Sequence, residues 1–372
     1  MNRERIGYGL IGCGGFGRFC LGEYRTMPDL RCVAVTDRDP ELLRSTAGEF
    51  GVEAITEVET LLKHPDIDIV HLATPPFTHP ALAMQALQAG KHVLCEKPLA
   101  LKEADAKAMV MMAEAQGKVL AVNLIMRYNP LCAAVRRLVE SQLLGDPLHA
   151  TLVNAAQDER LPAEHWFWDP ESSGGIFIEH GVHFFDLFEW WFGAGEVVSA
   201  VQLRRPGSKI VDQVQCSVRY GESTLGTFYH GFHQMHRRDR QTWLLVFETG
   251  TVSLDGWVPT DLVIDMHGSQ RELEEAGALI PGSSVEVVQT YADDEQVSRS
   301  RHRVRTVEVH GRIRADAGCS KLELYGKILR DLMEDQVAAI RDPRHVRRVT
   351  ESNGVSSLAY ALRAQELAEA SG

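Results

Sequence analysis

Two short stretches of the sequence carry residue types suited to moving a proton. In GKHVLCEKPLA, Lys97 stands between Glu96 and Pro98, where an apolar run ends. In SSGGIFIEHGVHFFDLFEWWFG, Glu179 and His183 are four residues apart, so on a helix they lie on one face. A histidine with an ordinary pKa of about 6.5 can take a hydroxyl proton, and a lysine can donate to the oxygen left behind. The two stretches therefore predict acid and base chemistry on an alcohol.

Each stretch also has a purely structural interpretation. Lys97 would then be a surface cation paired with Glu96, and the face carrying Glu179 and His183 would simply meet solvent. His180 is adjacent and is either a second polar contact or without a role. The aromatic residues of the second stretch already supply the buried faces of its helix, which favours the chemical interpretation.

A glycine-rich turn, GCGGFG, follows the first apolar run and matches the pattern GxGxxG. In dinucleotide-binding folds such glycines permit a tight turn, admit a pyrophosphate and let the next helix pack closely. The N-terminus of that helix then binds the phosphates. We expect cofactor contacts from the turn, at Gly12, Gly14, Gly15, Phe16 and Gly17.

Asp37 stands 20 residues after Gly17, at the end of the next apolar run. A carboxylate there would accept hydrogen bonds from the adenosine ribose and repel a 2′-phosphate, which favours NAD over NADP. Arg38 follows directly and leaves NADP open, because its guanidinium could bind such a phosphate; its alternative is a solvated charge.

Two predicted strand ends face the cofactor, because ligands of doubly wound sheets bind at the carboxyl ends of the strands. In LATPPFTHP we expect Thr74, Pro75 and Pro76 to line the cofactor ribose, with His79 either a contact or an ordinary first residue of a helix. The second strand end carries Glu96 and Lys97. Pro98 keeps Lys97 out of helical geometry, and the bond between them could be cis at a cost of about 1 kcal/mol.

The order of apolar runs predicts the fold. Up to about residue 125, short apolar runs alternate with helical stretches, which predicts a parallel doubly wound sheet. Consecutive strand-like runs follow, which predicts an α+β domain with a large, mostly antiparallel open sheet. We therefore divide the chain into a Rossmann domain at 1–125, a substrate and oligomerisation domain at 126–345, and a C-terminal helix at 346–372 that packs back near the domain interface. The polar segment 272–305 is expected to be a surface insertion or mobile loop.

The overall composition limits the classes of partner. Acidic residues outnumber basic ones by 51 to 39 among 372 residues, which argues against nucleic acid or an anionic membrane. The opening residues lack the pattern of a signal peptide, and no run of about 18 apolar residues is present. The seven cysteines include no CxxC pair, so we expect a reduced, cytoplasmic protein.

GCGGFG, ATPPFTH, CEKP and GGIFIEHGVHFFD, in this order and spacing, resemble the Gfo/Idh/MocA family of glucose-fructose oxidoreductase, inositol dehydrogenase and related sugar dehydrogenases. The resemblance covers nearly the whole chain. It implies an N-terminal Rossmann domain and a C-terminal domain whose open sheet serves oligomer contacts, hence a homodimer or homotetramer. It also implies that Lys97 contacts both nicotinamide ribose and substrate.

The resemblance assigns further residues to the site. It identifies His183 with the family's histidine and puts Glu179 where the family has an aspartate, a carboxylate longer by one methylene. Arg127 and Tyr128 resemble an interdomain segment that reaches substrate. Trp166 lies in a loop that resembles one near the active site, where it would stack on a sugar or anchor the loop.

One other group of residues has an unusual spacing. His230, His233 and His236 in HGFHQMH fall on a predicted strand, where residues three apart point to opposite faces. We therefore predict no metal site.

The sequence predicts an NAD-dependent oxidoreductase that transfers a hydride between nicotinamide and a secondary hydroxyl of a sugar, an inositol-like polyol or a glycoside. One alternative is an NAD-dependent glycosidase that oxidises C3 transiently and eliminates the aglycone. The other is a non-catalytic NAD-binding regulator.

Overall fold

The computed structural model describes residues 5–158, 161–299 and 304–371, which form two compact units. The first unit contains the described parts of Met1–Ile125, Pro162–Asp186 and Tyr325–Gln365, and the remaining segments form the second. The first segment of the first unit ends at residue 125, which is also the end of the predicted Rossmann domain. The two later segments of the first unit, however, lie inside the ranges that were predicted to belong to other domains. They join the first unit by packing on it, as where the Tyr325 ring lies 6.0 Å from that of Phe16.

The first unit is built on a parallel sheet of six strands, as the sequence predicted. The strand order is β3-β2-β1-β4-β5-β6, which is the doubly wound dinucleotide-binding order. Every residue of β1 and β4 is buried, as expected for strands covered on both faces. The strands are β1 (Ile6–Ile11), β2 (Leu30–Thr36), β3 (Glu53–Ala54), β4 (Ile69–Leu72), β5 (His92–Cys95) and β6 (Leu120–Val122).

The helices form where the sequence supplies caps and stops. Asp39 caps α2 by accepting from the backbone N–H groups of Glu41 and Leu42, and Gly51 ends it in a left-handed conformation. No helix of the described residues is long and apolar enough to span a bilayer. The helices are α1 (Gly15–Tyr24), α2 (Pro40–Phe50), α3 (Val58–Lys63), α4 (His79–Gln88), α5 (Glu103–Gln116), α6 (Pro130–Ser141), α7 (Pro170–Ser173), α8 (Val182–Phe192), α9 (Gln270–Ala278), α10 (Lys321–Arg341) and α11 (Glu351–Ala370).

The second unit is built on a nine-stranded sheet with the order β14-β17-β13-β12-β11-β7-β10-β9-β8. All neighbours are antiparallel except β7 and β10, so the predicted mostly antiparallel sheet is confirmed. A two-stranded hairpin, β15 with β16, accompanies it. The strands are β7 (Pro147–Gln157), β8 (Gly195–Arg204), β9 (Val211–Tyr220), β10 (Thr224–Gln234), β11 (Arg240–Phe247), β12 (Gly250–Asp255), β13 (Asp261–Gly268), β14 (Ser284–Thr290), β15 (Val297–Arg299), β16 (Val304–Thr306) and β17 (Val309–Asp316).

An aromatic cluster fills the core of the second unit. The Phe188 ring lies 4.6 Å from that of Phe228 and 6.2 Å from that of Trp243. Trp191 donates its indole N–H to Cys132 O at 3.0 Å, which satisfies the polar group of a buried ring.

The segment 272–305 contains more regular structure than the sequence indicated. Helix α9 starts with a capping box, in which Glu272 N donates to Ser269 Oγ at 3.1 Å and Ser269 N donates to Glu272 Oε2 at 2.8 Å. Strand β14 then pairs with β17 at the edge of the sheet, with every residue exposed. β14 has the sequence SVEVVQT and includes three valines, but the Glu, Asp, Ser and Arg residues around it dominate the composition of the segment. Residues 300–303 of the predicted insertion lie outside the described residues.

Candidate active site

The turn after β1 is shaped by its glycines. Gly12 has a φ of +103°, and a Cβ there would lie 2.3 Å from Ala73 O. A Cβ on Gly17 would lie 2.2 Å from Gly12 O, so only glycine lets α1 pack this closely on the turn. A Cβ on Gly14 would meet nothing within 4 Å, so the backbone in front of α1 faces open space.

The N-terminus of α1 is suited to an anion. Gly14 is its N-cap, no side chain caps it, and no acidic residue stands in its first turn. The first N–H groups of a helix have no partner within the helix, and its positive dipole end favours negative charge. The ring of Phe16 packs against Phe19 and Tyr325, which leaves its backbone N–H at the start of the helix as the group that can bind a phosphate. A dinucleotide pyrophosphate fits this arrangement.

Asp37 is held in one orientation at the end of β2. Its Oδ2 accepts from Cys13 N at 2.7 Å, and its Oδ1 accepts from Asp39 N at 2.8 Å. The carboxylate thus joins the glycine turn to the start of α2, while its side chain keeps partial exposure. Such a group can accept from ribose hydroxyls and repels a 2′-phosphate. Arg38 is exposed beside it.

The end of β4 forms a compact wall. Thr74 Oγ1 lies 2.6 Å from Thr78 Oγ1, which donates to Pro75 O at 2.7 Å. Pro76 begins a single 3₁₀ turn, Pro76–Thr78, that leads into α4. These bonds and the two proline rings give the segment few conformations, as a wall beside a cofactor requires.

His79 ties the ends of β4 and β5 together. Its ring is fully buried, with Nδ1 2.8 Å from Pro98 O and Nε2 2.9 Å from Thr74 O. Burial lowers the pKa of His79, more than these two carbonyls raise it, so the ring is neutral. Nε2 points at the backbone of the predicted cofactor wall and Nδ1 at the backbone of the lysine segment, so we expect His79 to affect a cofactor through the backbone and not by direct contact.

Lys97 and Glu179 meet in the first unit. Lys97 Nζ donates to Glu179 O at 2.7 Å and to Glu179 Oε1 at 2.5 Å. The side chains of Lys97 and Glu179 are 17% and 12% exposed, so the ion pair is largely shielded from water. The Lys97–Pro98 peptide bond is cis. The pairing of Lys97 with its neighbour Glu96, which was the structural alternative, is replaced here by a pairing with Glu179.

The helix that carries Glu179 is not a regular α-helix. Residues Phe177–Gly181 form a π-helical turn, and α8 begins only at Val182. The prediction assumed 3.6 residues per turn between Glu179 and His183, whereas a π turn is wider. π turns inside helices are frequent at functional sites.

His183 is buried, with 5% of its surface exposed. Its pKa is held well below 6.5, first by burial and then by the positive charge of Lys97 and by His180. Burial also lowers the pKa of His180 to about 3. Both rings are therefore neutral near pH 7, which is the form of imidazole that accepts a proton.

The other predicted site residues make contacts of their own. Glu96 is buried and accepts from Asn123 and His71. Trp166 lies in a 3₁₀ turn of the first unit, half-buried, with its ring 5.3 Å from that of His165. Arg127 and Tyr128 belong to the second unit, where the Arg127 guanidinium lies 5.7 Å from the centre of the Trp190 ring.

The three histidines of HGFHQMH do not converge. His230 is fully buried, whereas His233 is exposed and hydrogen-bonds Tyr229 Oη at 2.6 Å, so they occupy opposite faces of β10. His236 lies beyond the strand and contacts Gln157 Oε1 at 2.9 Å.

The strand order, the glycine turn, the uncapped helix end and the carboxylate at the end of β2 together define a dinucleotide-binding Rossmann protein. Residues 6–124 match the family described as "Oxidoreductase family, NAD-binding Rossmann fold", Gfo/Idh/MocA, and residues 132–253 match its C-terminal domain. The chain belongs to the Gfo/Idh/MocA family, as its motifs had indicated.

Similar proteins agree with this assignment. A dTDP-3,4-didehydro-2,6-dideoxy-alpha-D-glucose 3-reductase of Streptomyces violaceoruber is 30% identical over 66% of this chain and 72% of its own length. The inositol 2-dehydrogenase of Rhizobium meliloti is 29% identical over 50% of this chain and 55% of its own. A levoglucosan dehydrogenase solved with NADH and levoglucosan superposes with a TM-score of 0.78 at 20% identity, covering 99% of this chain and 98% of that one, which shows a shared fold.

Sequence reasoning missed the residues that surround Glu96. Tyr8 and His71 lie in the short apolar runs that became β1 and β4, so they were counted as strand residues. Asn123 directly follows the short apolar run that became β6, and nothing in the sequence marked it as a partner of Glu96. Within a buried strand, a lone tyrosine and a lone histidine were the available signal, because polar groups at such positions need partners.

Proposed function

We propose that this protein is an NAD-dependent dehydrogenase that oxidises a secondary hydroxyl of a sugar or cyclic polyol. The observation that carries the proposal is the Lys97–Glu179 pair, placed at a strand end of the same sheet whose glycine turn and Asp37 suit NAD. The names of the related sugar and inositol dehydrogenases support this substrate class.

Lys97 serves as the group that holds the reacting oxygen. An ammonium has three N–H donors, and Lys97 directs two of them to the carbonyl and carboxylate of Glu179. The third can bind the substrate hydroxyl and stabilise negative charge as it develops on that oxygen. Glu179 keeps the ammonium in place and offers Oε2 to a neighbouring sugar hydroxyl. NAD, when bound, supplies the nicotinamide ring that accepts the hydride.

His183 serves as the proton acceptor. The ring is neutral near pH 7, so it can take the hydroxyl proton without first losing one. Its low pKa makes the imidazolium a strong acid, so His183 passes the proton on rapidly instead of retaining it. This property suits a relay toward solvent.

Three further side chains complete the proposed substrate site. Arg127 and Tyr128 supply hydrogen bonds to sugar hydroxyls, and Trp166 supplies an aromatic face for an apolar sugar surface. Substitution of Trp166 by Leu is expected to raise KM for the substrate while leaving NAD binding unchanged.

A substrate screen tests the proposed activity. We expect the protein with NAD to produce NADH from at least one member of a panel of inositols, anhydrosugars, aldoses and aryl glycosides. The Lys97→Ala and His183→Ala variants should each lose a factor of about 100 or more in kcat, as for a missing general acid or base. The exposed Lys102→Ala variant is the control for a nearby lysine of no predicted role.

Three results would contradict the proposal. Near-normal turnover by both variants would remove Lys97 and His183 from the mechanism. Release of aglycone from aryl glycosides without NADH would identify the glycosidase reaction, and absence of hydride transfer across the whole panel would indicate a regulator.

A second copy of the chain is the proposed partner, bound through the outer face of the nine-stranded sheet. Strand register places Val201, Leu225 and Leu244 on this one face, and their side chains are 52%, 44% and 44% exposed. We expect a dimer or tetramer by analytical ultracentrifugation and a shift toward monomer in Leu244→Glu. A monomeric wild-type protein would contradict this.

The seven free cysteines fit a cytoplasmic location, which is part of the same proposal.

A further inference from the structure

Four buried polar side chains on adjacent strands of the parallel sheet are linked by hydrogen bonds. Tyr8 Oη lies 2.8 Å from His71 Nδ1, and His71 Nε2 lies 2.9 Å from Glu96 Oε1. Asn123 Nδ2 donates to the same Oε1 at 2.7 Å. The four residues come from or directly follow the adjacent strands β1, β4, β5 and β6, and each is at most 8% exposed. We call this set the Glu96 network.

The direction of each hydrogen bond follows from the groups involved. Glu96 Oε1 is a carboxylate oxygen and only accepts, so His71 donates to it from Nε2. With that proton on Nε2, His71 Nδ1 accepts from the Tyr8 hydroxyl. The amide of Asn123 is also a donor. Glu96 Oε1 thus accepts two hydrogen bonds, which is the arrangement that a buried carboxylate requires.

The network fixes one side of Lys97, and His79 fixes the other. Glu96 is bound through its side chain by two residues and through its backbone N–H, which donates to Leu72 O at 3.0 Å. On the far side, Pro98 O lies 2.8 Å from His79 Nδ1. The lysine therefore extends from a short segment in which both neighbours are anchored to buried groups.

We propose that His71 and Asn123 are positioning residues for Lys97, acting through the Glu96 carboxylate. They keep that carboxylate in a single orientation, and this holds the backbone at Lys97 so that Nζ reaches Glu179. The effect of His71 and Asn123 on turnover rests on the proposed function, in which Lys97 binds the reacting oxygen. Their effect on the position of the Lys97 side chain is independent of that function.

A metal ion is the competing occupant of this region. Ligand atoms of Cys20, His71 and Glu96 lie within 4.8 Å of one another. His71 and Glu96 already bond each other at 2.9 Å, and burial raises the pKa of the Cys20 thiol, whereas metals bind the thiolate. Hydrogen bonding accounts for the geometry without an ion.

The first test follows Lys97 directly and needs no substrate. The protein is labelled with acetic anhydride over a range of pH, and the rate at each lysine is read by peptide mass spectrometry. We expect acetylation of Lys97 to rise about fivefold to tenfold in His71→Leu and in Asn123→Asp, because each loses a donor to Glu96. His71→Gln retains an N–H donor and should remain close to wild type. Lys91, whose Nζ donates to His64 O and Ile67 O, is the internal control.

The second test uses turnover with whichever substrate the screen identifies. We expect kcat to fall by roughly 10-fold to 100-fold in His71→Leu, with KM for NAD unchanged, because the lysine is misplaced and the cofactor turn is intact. In a Lys97→Ala background the same substitution should cause no further loss, since its effect passes through that lysine.

Three results would overturn the inference. The first is unchanged Lys97 labelling in His71→Leu or Asn123→Asp protein that unfolds at the wild-type temperature. The second is an equal rise at Lys91, which would indicate general loosening of the fold. The third is one equivalent of zinc in the purified protein. If His71→Leu does not fold, Asn123→Asp decides alone. Absence of NADH production across the panel would refute the proposed function but leave the labelling result valid.

Discussion

At the scale of single residues, the site differs from the expectation in how Lys97 is paired. The sequence predicted Lys97 at a strand end beside a cofactor, and its one suggested partner was Glu96, in the structural alternative. The hydrogen bond from Lys97 to the backbone carbonyl of Glu179 could not be predicted, because it depends on how the π turn presents that carbonyl. Glu179 therefore contacts the lysine at two points, one of which would survive loss of its carboxylate.

Substitution of Glu179 by Gln tests how much the charge of its carboxylate contributes to turnover. Glu179→Gln keeps the backbone carbonyl and one side-chain oxygen that can accept from Lys97, but it replaces the second carboxylate oxygen by an NH2 group and removes the charge. We expect kcat/KM to fall by roughly 10-fold to 100-fold, as for loss of a charged hydrogen-bond partner in a shielded site. The exposed Glu171→Gln is the matched control and should behave as wild type. Equal activity of the two variants would show that the Glu179 charge has no part in turnover.

Asp37 is predicted to select the cofactor. Asp37→Asn retains an oxygen that can accept from Cys13 N but removes the negative charge that repels a 2′-phosphate. We expect Kd for NAD to rise by about 10-fold and Kd for NADP to fall, because charged hydrogen bonds to ribose are replaced by neutral ones. Calorimetric titration with each dinucleotide measures both constants. Tighter binding of NADP than of NAD by the wild-type protein would contradict the assignment.

At the scale of elements, the glycine turn was the most predictable part of the molecule. Its spacing relative to β1, α1 and Asp37 follows from the needs of a bound pyrophosphate, and the structure has each element where the pattern required it. The π turn at Phe177–Gly181 was not predictable, since apolar spacing does not distinguish one wide turn in an otherwise α-helical stretch.

Substitution of two glycines of the turn tests folding stability and NAD binding separately. A Cβ on Gly17 would lie 2.2 Å from Gly12 O, so Gly17→Ala should lower the free energy of unfolding by about 1 to 3 kcal/mol through overpacking. A Cβ on Gly14 meets no atom of the chain, so Gly14→Ala should unfold like wild type yet bind NAD at least about 10-fold more weakly, because the methyl group occupies the phosphate position. Chemical denaturation and calorimetric titration measure the two effects. Wild-type NAD affinity in Gly14→Ala would place the pyrophosphate elsewhere.

At the scale of the whole molecule, the sequence predicted two sheets of the correct kinds but treated each domain as continuous. The segments Pro162–Asp186 and Tyr325–Gln365 return to the first unit after the chain has begun the second. Periodicity reports which face of a helix is buried but not which sheet it packs against. The Glu96 network was missed for a related reason, since its members are separated by up to 115 positions in the sequence and become adjacent only through the order of the parallel strands.

Four histidines of the first unit that are neutral near pH 7 should make the protein sensitive to acid. Burial lowers the pKa of His92 to about 4 and that of His180 to about 3, and it also lowers the pKa values of His79 and His183. Unfolded histidines protonate near pH 6.5, so below that value the unfolded chain binds more protons and stability falls as the pH falls.

Between pH 6.5 and 5 the slope should rise toward a limit of about 1.4 kcal/mol of unfolding free energy per pH unit for a histidine that is protonated in the unfolded chain and neutral in the folded one, as His92 and His180 are near pH 5. Urea unfolding at several pH values measures it. His92→Gln, which keeps an acceptor for Val119 N, should reduce the slope by one histidine's share. A stability that is constant or rises as the pH falls through this window would contradict the prediction.

His79 places a further limit on how the two strand ends can behave. A neutral imidazole carries one proton, yet its two nitrogens lie 2.8 Å from Pro98 O and 2.9 Å from Thr74 O. Only one of these carbonyls can receive that proton at a time, and the other faces a nitrogen lone pair. The tautomer of His79 thus decides whether the lysine segment or the cofactor wall is bonded, and the two strand ends are in competition for a single hydrogen atom.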